Sequence, residues 1–207
     1  MKPLLPHLIL VLAVLSMCCC TGNTSHQRMN PMSNNPDNAA TVLVDDSTVE
    51  GLVIYYPQFS RIDLVCGTMP SQQDTTVIYC AEAAFTHELL DSVAAAGGMG
   101  FGQAIIIHGG ESIRPLWRDN LGTNKVTHYR ALCEKDGQLC IADSRDEVDY
   151  ATFVDLLEAF EPRHALYLDM GSGWNHSWWR DQHGKVHEIH PIADKSRYCT
   201  NWITFYN

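Results

Sequence analysis

The segment HALYLDMGSGWNHSWWRD, at residues 164–181, holds several residue types that could act on a bound molecule. An apolar strand is predicted to end at Asp169, and glycines at 171 and 173 leave backbone N–H groups open to a ligand. A carboxylate that ends an apolar strand is costly to bury without a partner or a task. We therefore predict that Asp169 is catalytic, and that substrate contacts the residues that follow it: Gly171, Ser172, Gly173, Trp174 and Asn175.

Each of these features also has a purely structural explanation. Trp174, Trp178 and Trp179 present flat apolar faces that suit a sugar ring, but large aromatic side chains are mostly buried in cores wherever they occur. Asp169 could equally cap a turn. Both alternatives stay open at this point.

Two further residues are predicted to handle protons. Glu82 lies in the apolar run VIYCAEAAF, where burial would favour the protonated carboxyl group and suit it to general acid catalysis. His108 ends QAIIIH directly before Gly109-Gly110, again at a strand end. The alternatives are a solvent-facing edge position for Glu82 and a core position for His108.

The ten histidines raise the question of a metal ion. Four of them lie close together near the C-terminus, at His176, His183, His187 and His190. Their spacing is loose and no HExxH pattern occurs. We therefore predict loop histidines facing solvent, with no metal site and no cofactor.

Two segments together resemble the C-terminal half of the phosphodiester glycosidase family, the N-acetylglucosamine-1-phosphodiester α-N-acetylglucosaminidase-like domains. They are HYRALCEKDGQLCIADSR, in which a strand with Arg130 leads through the Asp136-Gly137 turn, and YLDMGSGW after the next helix. The resemblance implies an envelope hydrolase that cleaves a phosphate-linked sugar, with Arg130 binding the phosphate and Asp169 acting at the sugar.

The sequence departs from that family at two places. Met170 stands where the family usually has a glycine, and AEAAFTH offers no counterpart to its early Asn-Gly pair. These departures favour an alternative function, a non-catalytic lipoprotein that binds a carbohydrate or another envelope polymer.

The elements that position these residues are predicted from hydrophobic periodicity. Phe153, Val154, Leu157 and Phe160 recur at helical spacing before Pro162, which predicts a helix over 149–160, and a shorter helix is predicted over 86–95. The predicted strands are 51–56, 61–66, 75–85, 103–110, a pair flanking Asp136-Gly137, HALYLDMG and NWITFYN. Hairpins combined with one helix-to-strand connection predict a single α+β domain with a mixed, largely antiparallel sheet and a few helices.

Five cysteines follow residue 20: Cys66, Cys80, Cys133, Cys140 and Cys199. Cys133 and Cys140 flank the Asp136-Gly137 turn and could face each other across neighbouring strands. An oxidising compartment would permit a disulfide between them, whereas two buried thiols are equally compatible with the sequence.

The N-terminus predicts export. Residues 1–20 combine Lys2 with an apolar run and small or sulfur-containing residues, and LSMC resembles a lipobox in which Cys18 would be acylated. Met17 leaves Cys19, Cys20 or ordinary signal cleavage open. Residues 21–46 are polar and predict a flexible tether, and 47–207 form the domain. We expect a protein of the bacterial cell envelope, either lipid-anchored or periplasmic.

Composition and charge limit the partners. The net charge is −10 and no run of lysine or arginine occurs, which argues against a nucleic-acid partner. The expected partners are a small-molecule or glycan substrate and, through the N-terminal lipid anchor, a membrane.

Overall fold

Two β-sheets and one helix form the regular structure of residues 41–83, 103–113, 126–168, 176–190 and 201–207, which are the parts of the chain described by the computed structural model. The helix, α1, spans Tyr150–Phe160. The strands in chain order are β1 (Val42–Asp45), β2 (Leu52–Pro57), β3 (Arg61–Cys66), β4 (Val77–Glu82), β5 (Ile105–His108), β6 (Glu111–Ser112), β7 (Arg130–Lys135), β8 (Gln138–Ser144), β9 (His164–Leu168), β10 (Ser177–Arg180), β11 (Val186–His190) and β12 (Asn201–Tyr206).

The strands form a sandwich of two antiparallel sheets. The seven-stranded sheet has the order β1-β2-β8-β7-β9-β5-β6, and the five-stranded sheet has the order β11-β10-β4-β12-β3. Each predicted strand segment overlaps a strand of the structure, and the strand predicted over 61–66 coincides with β3. These predicted strands are confirmed, whereas β1, β6, β10 and β11 were not predicted.

The prediction of an α+β fold is wrong, because the described residues form a mainly β fold with α1 as their helix. The prediction rested on the connection from a helix to a buried strand. α1 does connect β8 to β9, but β7 lies between these two strands and is antiparallel to both. The connection therefore only adds α1 to one face of an antiparallel sheet and makes no parallel strand pair. The second helix, predicted over 86–95, lies outside the described residues.

Alternation of side chains along the strands creates two main apolar layers. The layer between the sheets includes Tyr79 and Phe205 from the smaller sheet, and Leu132, Ile141 and Leu168 from the larger one. The second layer lies between the larger sheet and α1. Because strand residues alternate in direction, odd-numbered and even-numbered residues of a strand such as β7 serve different layers. This alternation decides which side chains can meet in the site described below.

Helix α1 confirms the periodicity prediction. Its buried residues include Phe153, Val154, Leu157 and Phe160, which pack against the larger sheet. The Asp149 carboxylate accepts a hydrogen bond from the backbone N–H of Thr152 at 2.7 Å and caps the first turn. The helix therefore covers one face of the larger sheet and leaves the opposite face for the second sheet.

The β7–β8 hairpin places Cys133 directly opposite Cys140, as predicted. Asp136 and Gly137 both have positive φ, 53° and 77°, which is the geometry of a type I′ turn. Both thiols are fully buried beneath α1 and are unoxidised in the structure. A hydrogen bond with Cys140, together with burial, raises the pKa of the Cys133 thiol.

Residues 42–45 of the predicted tether form β1, an edge strand paired with β2. Val42 is 4% exposed and belongs to the core between the sheets. Residues 1–40, with Cys18, lie outside the described residues. Within the described ranges, no helix is long and apolar enough to span a bilayer.

Candidate functional site

The two ends of the sandwich differ in how the chain connects its strands. At one end the connections are short: Gly109-Gly110 joins β5 to β6, Asp136-Gly137 joins β7 to β8, and residues 181–185 join β10 to β11. We call this side the turn end. Short turns of this kind leave little room for a binding site.

We call the opposite side the Arg130 end, and the strand ends that the longer segments join lie there. There β7 begins at Arg130 opposite Leu168, the last residue of β9. β10 begins there at Ser177, which is paired with Ala81 of β4 and with His190 of β11. The internal segments outside the described residues all connect strand ends on this side: 84–102, 114–125, 169–175 and 191–200. Connections gathered at one end of a rigid sandwich commonly carry binding residues.

A buried ion pair marks this end of the space between the sheets. Arg130 Nε and Nη2 donate to the two carboxylate oxygens of Asp143 at 2.6 and 2.5 Å, and neither side chain is more than 3% exposed. Burial is the largest single effect and acts to lower the pKa of Arg130. The charge and hydrogen bonds of Asp143, together with Tyr79 and Tyr55, outweigh it, so this pKa lies above its usual value. The guanidinium therefore stays charged, as a phosphate-binding group must.

Arg130 also connects the two sheets. Its Nη2 donates to the hydroxyl of Ser177 at 2.7 Å, although Arg130 is in the larger sheet and Ser177 in the smaller one. Its Nη1 is buried and has no hydrogen-bond partner among the described residues. The guanidinium thus has one donor nitrogen left for a ligand, while the other two are used by the protein.

Three histidines surround this ion pair. The rings of His128 and His190 lie 4.7 Å apart, and His176 Nδ1 donates to the backbone carbonyl of His190 at 2.8 Å. Burial, followed by the positive charge of Arg130, lowers the pKa of His190 to about 4. His190 is therefore neutral near neutral pH, and its Nε2 atom is buried without a partner in the described part of the chain.

For the remaining predicted binding residues, the structure describes only the residues on either side of them in the sequence. Asp169, Gly171, Ser172, Gly173, Trp174 and Asn175 lie outside the described residues. The segment 169–175 that contains them follows Leu168, the Cα partner of Arg130, and precedes His176 and Ser177. Both ends of the predicted ligand-binding segment are therefore attached beside Arg130.

Glu82 and His108 do not join Arg130. Ala81 faces the space between the sheets, so Glu82, one residue later on β4, faces the other side with its strand partner Trp202. Glu82 is buried there, 1% exposed, which rules out the solvent-facing alternative. His108 is exposed at the turn end, where its ring lies 4.9 Å from that of His164. Strand face and strand direction therefore keep these two residues apart from Arg130, and their role in proton transfer stays a prediction.

Two of the three candidate tryptophans, Trp178 and Trp179, lie in the described residues and pack within the protein itself. Trp178 is fully buried in a cluster with Trp202, and Trp179 is half-buried with its ring stacked on His187 at 4.4 Å. For Trp178 the core alternative is confirmed. Trp174 is the tryptophan that remains a candidate for stacking on a sugar.

The described residues contain no group of three or more His, Cys, Asp or Glu side chains arranged to hold a metal ion. His183 and His187 lie near the turn end, and His187 Nε2 is 2.8 Å from Asp181 Oδ2. The C-terminal histidines are therefore divided between the two ends of the sandwich.

Sequence reasoning missed the roles of Asp143, Ser177 and His128, and considered His190 only as a metal ligand. The Asp143 partnership could have been found. In a two-residue hairpin at 136–137, residue 130 must lie opposite residue 143, because each is six residues from the turn. Ser177 and His128 meet their partners only when the two sheets pack, and no local pattern reports that packing.

The overall fold is similar to that of a glycosidase catalytic domain. One similar solved structure is the zebrafish N-acetylglucosamine-1-phosphodiester α-N-acetylglucosaminidase catalytic domain, auto-inhibited by its pro-peptide, with a TM-score of 0.55. The alignment covers 84% of this chain and 86% of that chain at 7% sequence identity, a level at which the likeness concerns the fold alone. No protein-family model and no curated protein sequence matches the chain.

Proposed function

We propose that this protein is a hydrolase of the bacterial envelope that cleaves a sugar linked through phosphate, and that it acts at the Arg130 end. One observation carries the proposal. The glycine-rich segment that holds Asp169 leaves the larger sheet at Leu168 and re-enters the smaller sheet at Ser177, and both residues adjoin Arg130. A carboxylate and a guanidinium, the two groups needed at a sugar phosphodiester, are thereby attached at one place.

The roles follow from which atoms remain available. Arg130 Nη1 is the donor that binds phosphate, because Asp143 and Ser177 occupy Nε and Nη2. Asp169 acts at the sugar carbon, where positive charge develops as the bond to oxygen breaks. Gly171, Ser172 and Gly173 supply backbone and hydroxyl groups to the ligand, and Trp174 and Asn175 contact the ring. The name of the zebrafish enzyme, an N-acetylglucosamine-1-phosphodiester glycosidase, supports this substrate class.

The setting of the proposed enzyme is the cell envelope. Residues 1–20 would direct export, Cys18 would carry lipid, and the polar residues before β1 would hold the domain away from the membrane. Fractionation of expressing cells tests this part: Cys18→Ser should move the protein from the membrane to the soluble fraction, and an unchanged distribution would contradict the anchor.

Hydrolysis of a panel of sugar phosphodiesters by the purified domain tests the proposed activity. Asp169→Asn should lower the rate by at least about a hundredfold, the usual contribution of a positioned carboxyl group. Glu111→Gln is the matched control, since Glu111 is an exposed carboxylate at the turn end. Equal rates for the Asp169 variant and the control would remove Asp169 from the mechanism.

A second function is favoured by one specific observation on the residues predicted to transfer protons. Glu82 faces away from the space between the sheets that holds Arg130, and His108 lies at the turn end. A site without them could bind a sugar phosphate and leave it intact. Calorimetric binding of the same panel, with no product released over a long incubation, would establish this binding function in place of the hydrolase.

A further inference from the structure

His190 occupies a position beside Arg130 that none of the predicted roles uses. It is the last residue of β11 and the Cα partner of Ser177, whose hydroxyl accepts a hydrogen bond from Arg130. Its ring packs on that of His128, which precedes Arg130 by two residues. The imidazole and the guanidinium therefore lie at the same end of the space between the sheets.

Both side chains have a nitrogen without a partner. Arg130 Nη1 and His190 Nε2 are each shielded from solvent and make no hydrogen bond to any described residue. Buried polar atoms are almost always hydrogen-bonded, so two such atoms at the same end of the space between the sheets point to a ligand that both can contact. Arg130 itself is fully buried, whereas the His190 side chain as a whole is partly exposed.

The charges around these atoms determine what kind of ligand fits. The groups that act on His190 are Arg130 on β7, Asp143 on β8, His128 before β7 and His176 before β10. Arg130 and Asp143 neutralise each other, and His190 is neutral near neutral pH. An anion placed there would leave one unbalanced buried charge unless the site gains a positive charge at the same time.

We propose that His190 is the second donor of an anion site beside Arg130, and that its Nε2 takes up a proton from solvent when a phosphate-bearing ligand binds. This inference rests on the proposed function, because it takes the ligand to be a phosphodiester. The anion favours the imidazolium form by direct attraction, and the imidazolium in turn donates a charge-assisted hydrogen bond to the phosphate. Binding of substrate thus brings a proton into the site before any bond is broken.

Calorimetric titration with dimethyl phosphate tests the inference without requiring hydrolysis. This diester stays a monoanion near neutral pH, so any proton uptake belongs to the protein. Titrations in two buffers with different ionisation enthalpies should show uptake of a proton by the wild-type protein. His190→Gln should abolish that uptake and weaken binding by roughly tenfold, as expected for loss of a charge-assisted hydrogen bond. His183→Gln, an exposed histidine near the turn end, should behave like wild type.

A measurement on the wild-type protein guards against a variant that fails to fold. The ¹⁵N signals of the His190 ring should move from the neutral to the imidazolium pattern as dimethyl phosphate is added. A ring that stays neutral at saturation, binding without proton uptake, or no binding of dimethyl phosphate at all would each overturn the inference. The sugar-phosphodiester assay with Asp169→Asn uses neither proton uptake nor the ring signals. Failure of the proposed function can therefore be distinguished from failure of this inference.

Discussion

Arg130 carries its charge in the space between two sheets, where the carboxylate of Asp143 compensates it. The nitrogens of its guanidinium have two different roles, one structural and one functional. Two nitrogens hold β8 and the start of β10, and the third is left for a ligand. The same side chain therefore stabilises the sandwich and defines its candidate site.

The energetic weight of the Arg130–Asp143 pair can be measured. Asp143→Asn should lower the free energy of unfolding by about 3–5 kcal/mol, because a buried guanidinium loses the charge that balances it. Chemical denaturation gives this value directly. Asp63→Asn is the matched control: Asp63 also pairs with an arginine, Arg61, but the Arg61 side chain is 59% exposed. The control should cost no more than about 1 kcal/mol, and equal losses in the two variants would contradict the buried-pair account.

His190 makes stability depend on pH. Its pKa is about 4 in the folded protein and 6.5 in an exposed histidine, so between these values the unfolded chain binds more protons. Stability from this residue is fully present above about pH 6.5 and is lost as the pH falls toward 4. Unfolding free energies measured across this window should fall less steeply for His190→Gln than for wild type. A steeper or unchanged slope would show that His190 is not held neutral.

Contacts between single residues could be predicted where the two partners are close in the sequence. The Asp136-Gly137 turn fixes the hairpin, and the hairpin alone places Asp143 opposite Arg130. The contact of His128 with His190 spans sixty-two positions (190 minus 128) and two sheets. The sequence carries no periodic signal for such a contact, so the histidine pair could only be found in the folded molecule.

The helix and strands follow the same rule: those marked by local sequence were predicted, and one that depends on a distant partner strand was not. α1 and β3 were predicted within a residue or two, because apolar spacing and proline mark their bounds. β1 was missed because it is short and follows a polar stretch. Its place in the sheet depends on β2, which offers a free edge to TVLVD.

The C-terminal end of α1 offers a test of how one helix contributes to stability. Glu161 has φ 56° and ψ 48°, a left-handed conformation that glycine adopts without the cost of a side chain. Glu161→Gly should raise the free energy of unfolding by about 0.5–1 kcal/mol, as measured by denaturation. Glu158→Gly, within the helix, should instead lower it by about 1 kcal/mol. A loss of stability in both variants would mean that the left-handed geometry at Glu161 costs little.

At the scale of the whole molecule, the sequence indicated the strands but not how they assemble. Short apolar runs and hairpin turns predicted an antiparallel sheet, whereas the division into two packed sheets depends on which edges meet. The fold class was wrong because the prediction rested on one helix-to-strand connection, and α1 only covers a face of an antiparallel sheet. The glycosidase resemblance, drawn from residues 128–175, agrees with a likeness in fold that extends over most of the chain.

The asymmetry of the sandwich is the feature on which the functional proposal depends. Short turns close one end, and the strand ends joined by the Asp169 segment, at Leu168 and Ser177, lie at the other end beside Arg130. Mapping a ligand onto backbone amide signals by NMR tests this directly, with N-acetylglucosamine 1-phosphate as the ligand. We expect shifts at Leu168, Ser177 and His190, and none at Gly110, Gly137 and Gly184. Shifts confined to those three glycines, or none at saturating ligand, would contradict a sugar-phosphate site at the Arg130 end.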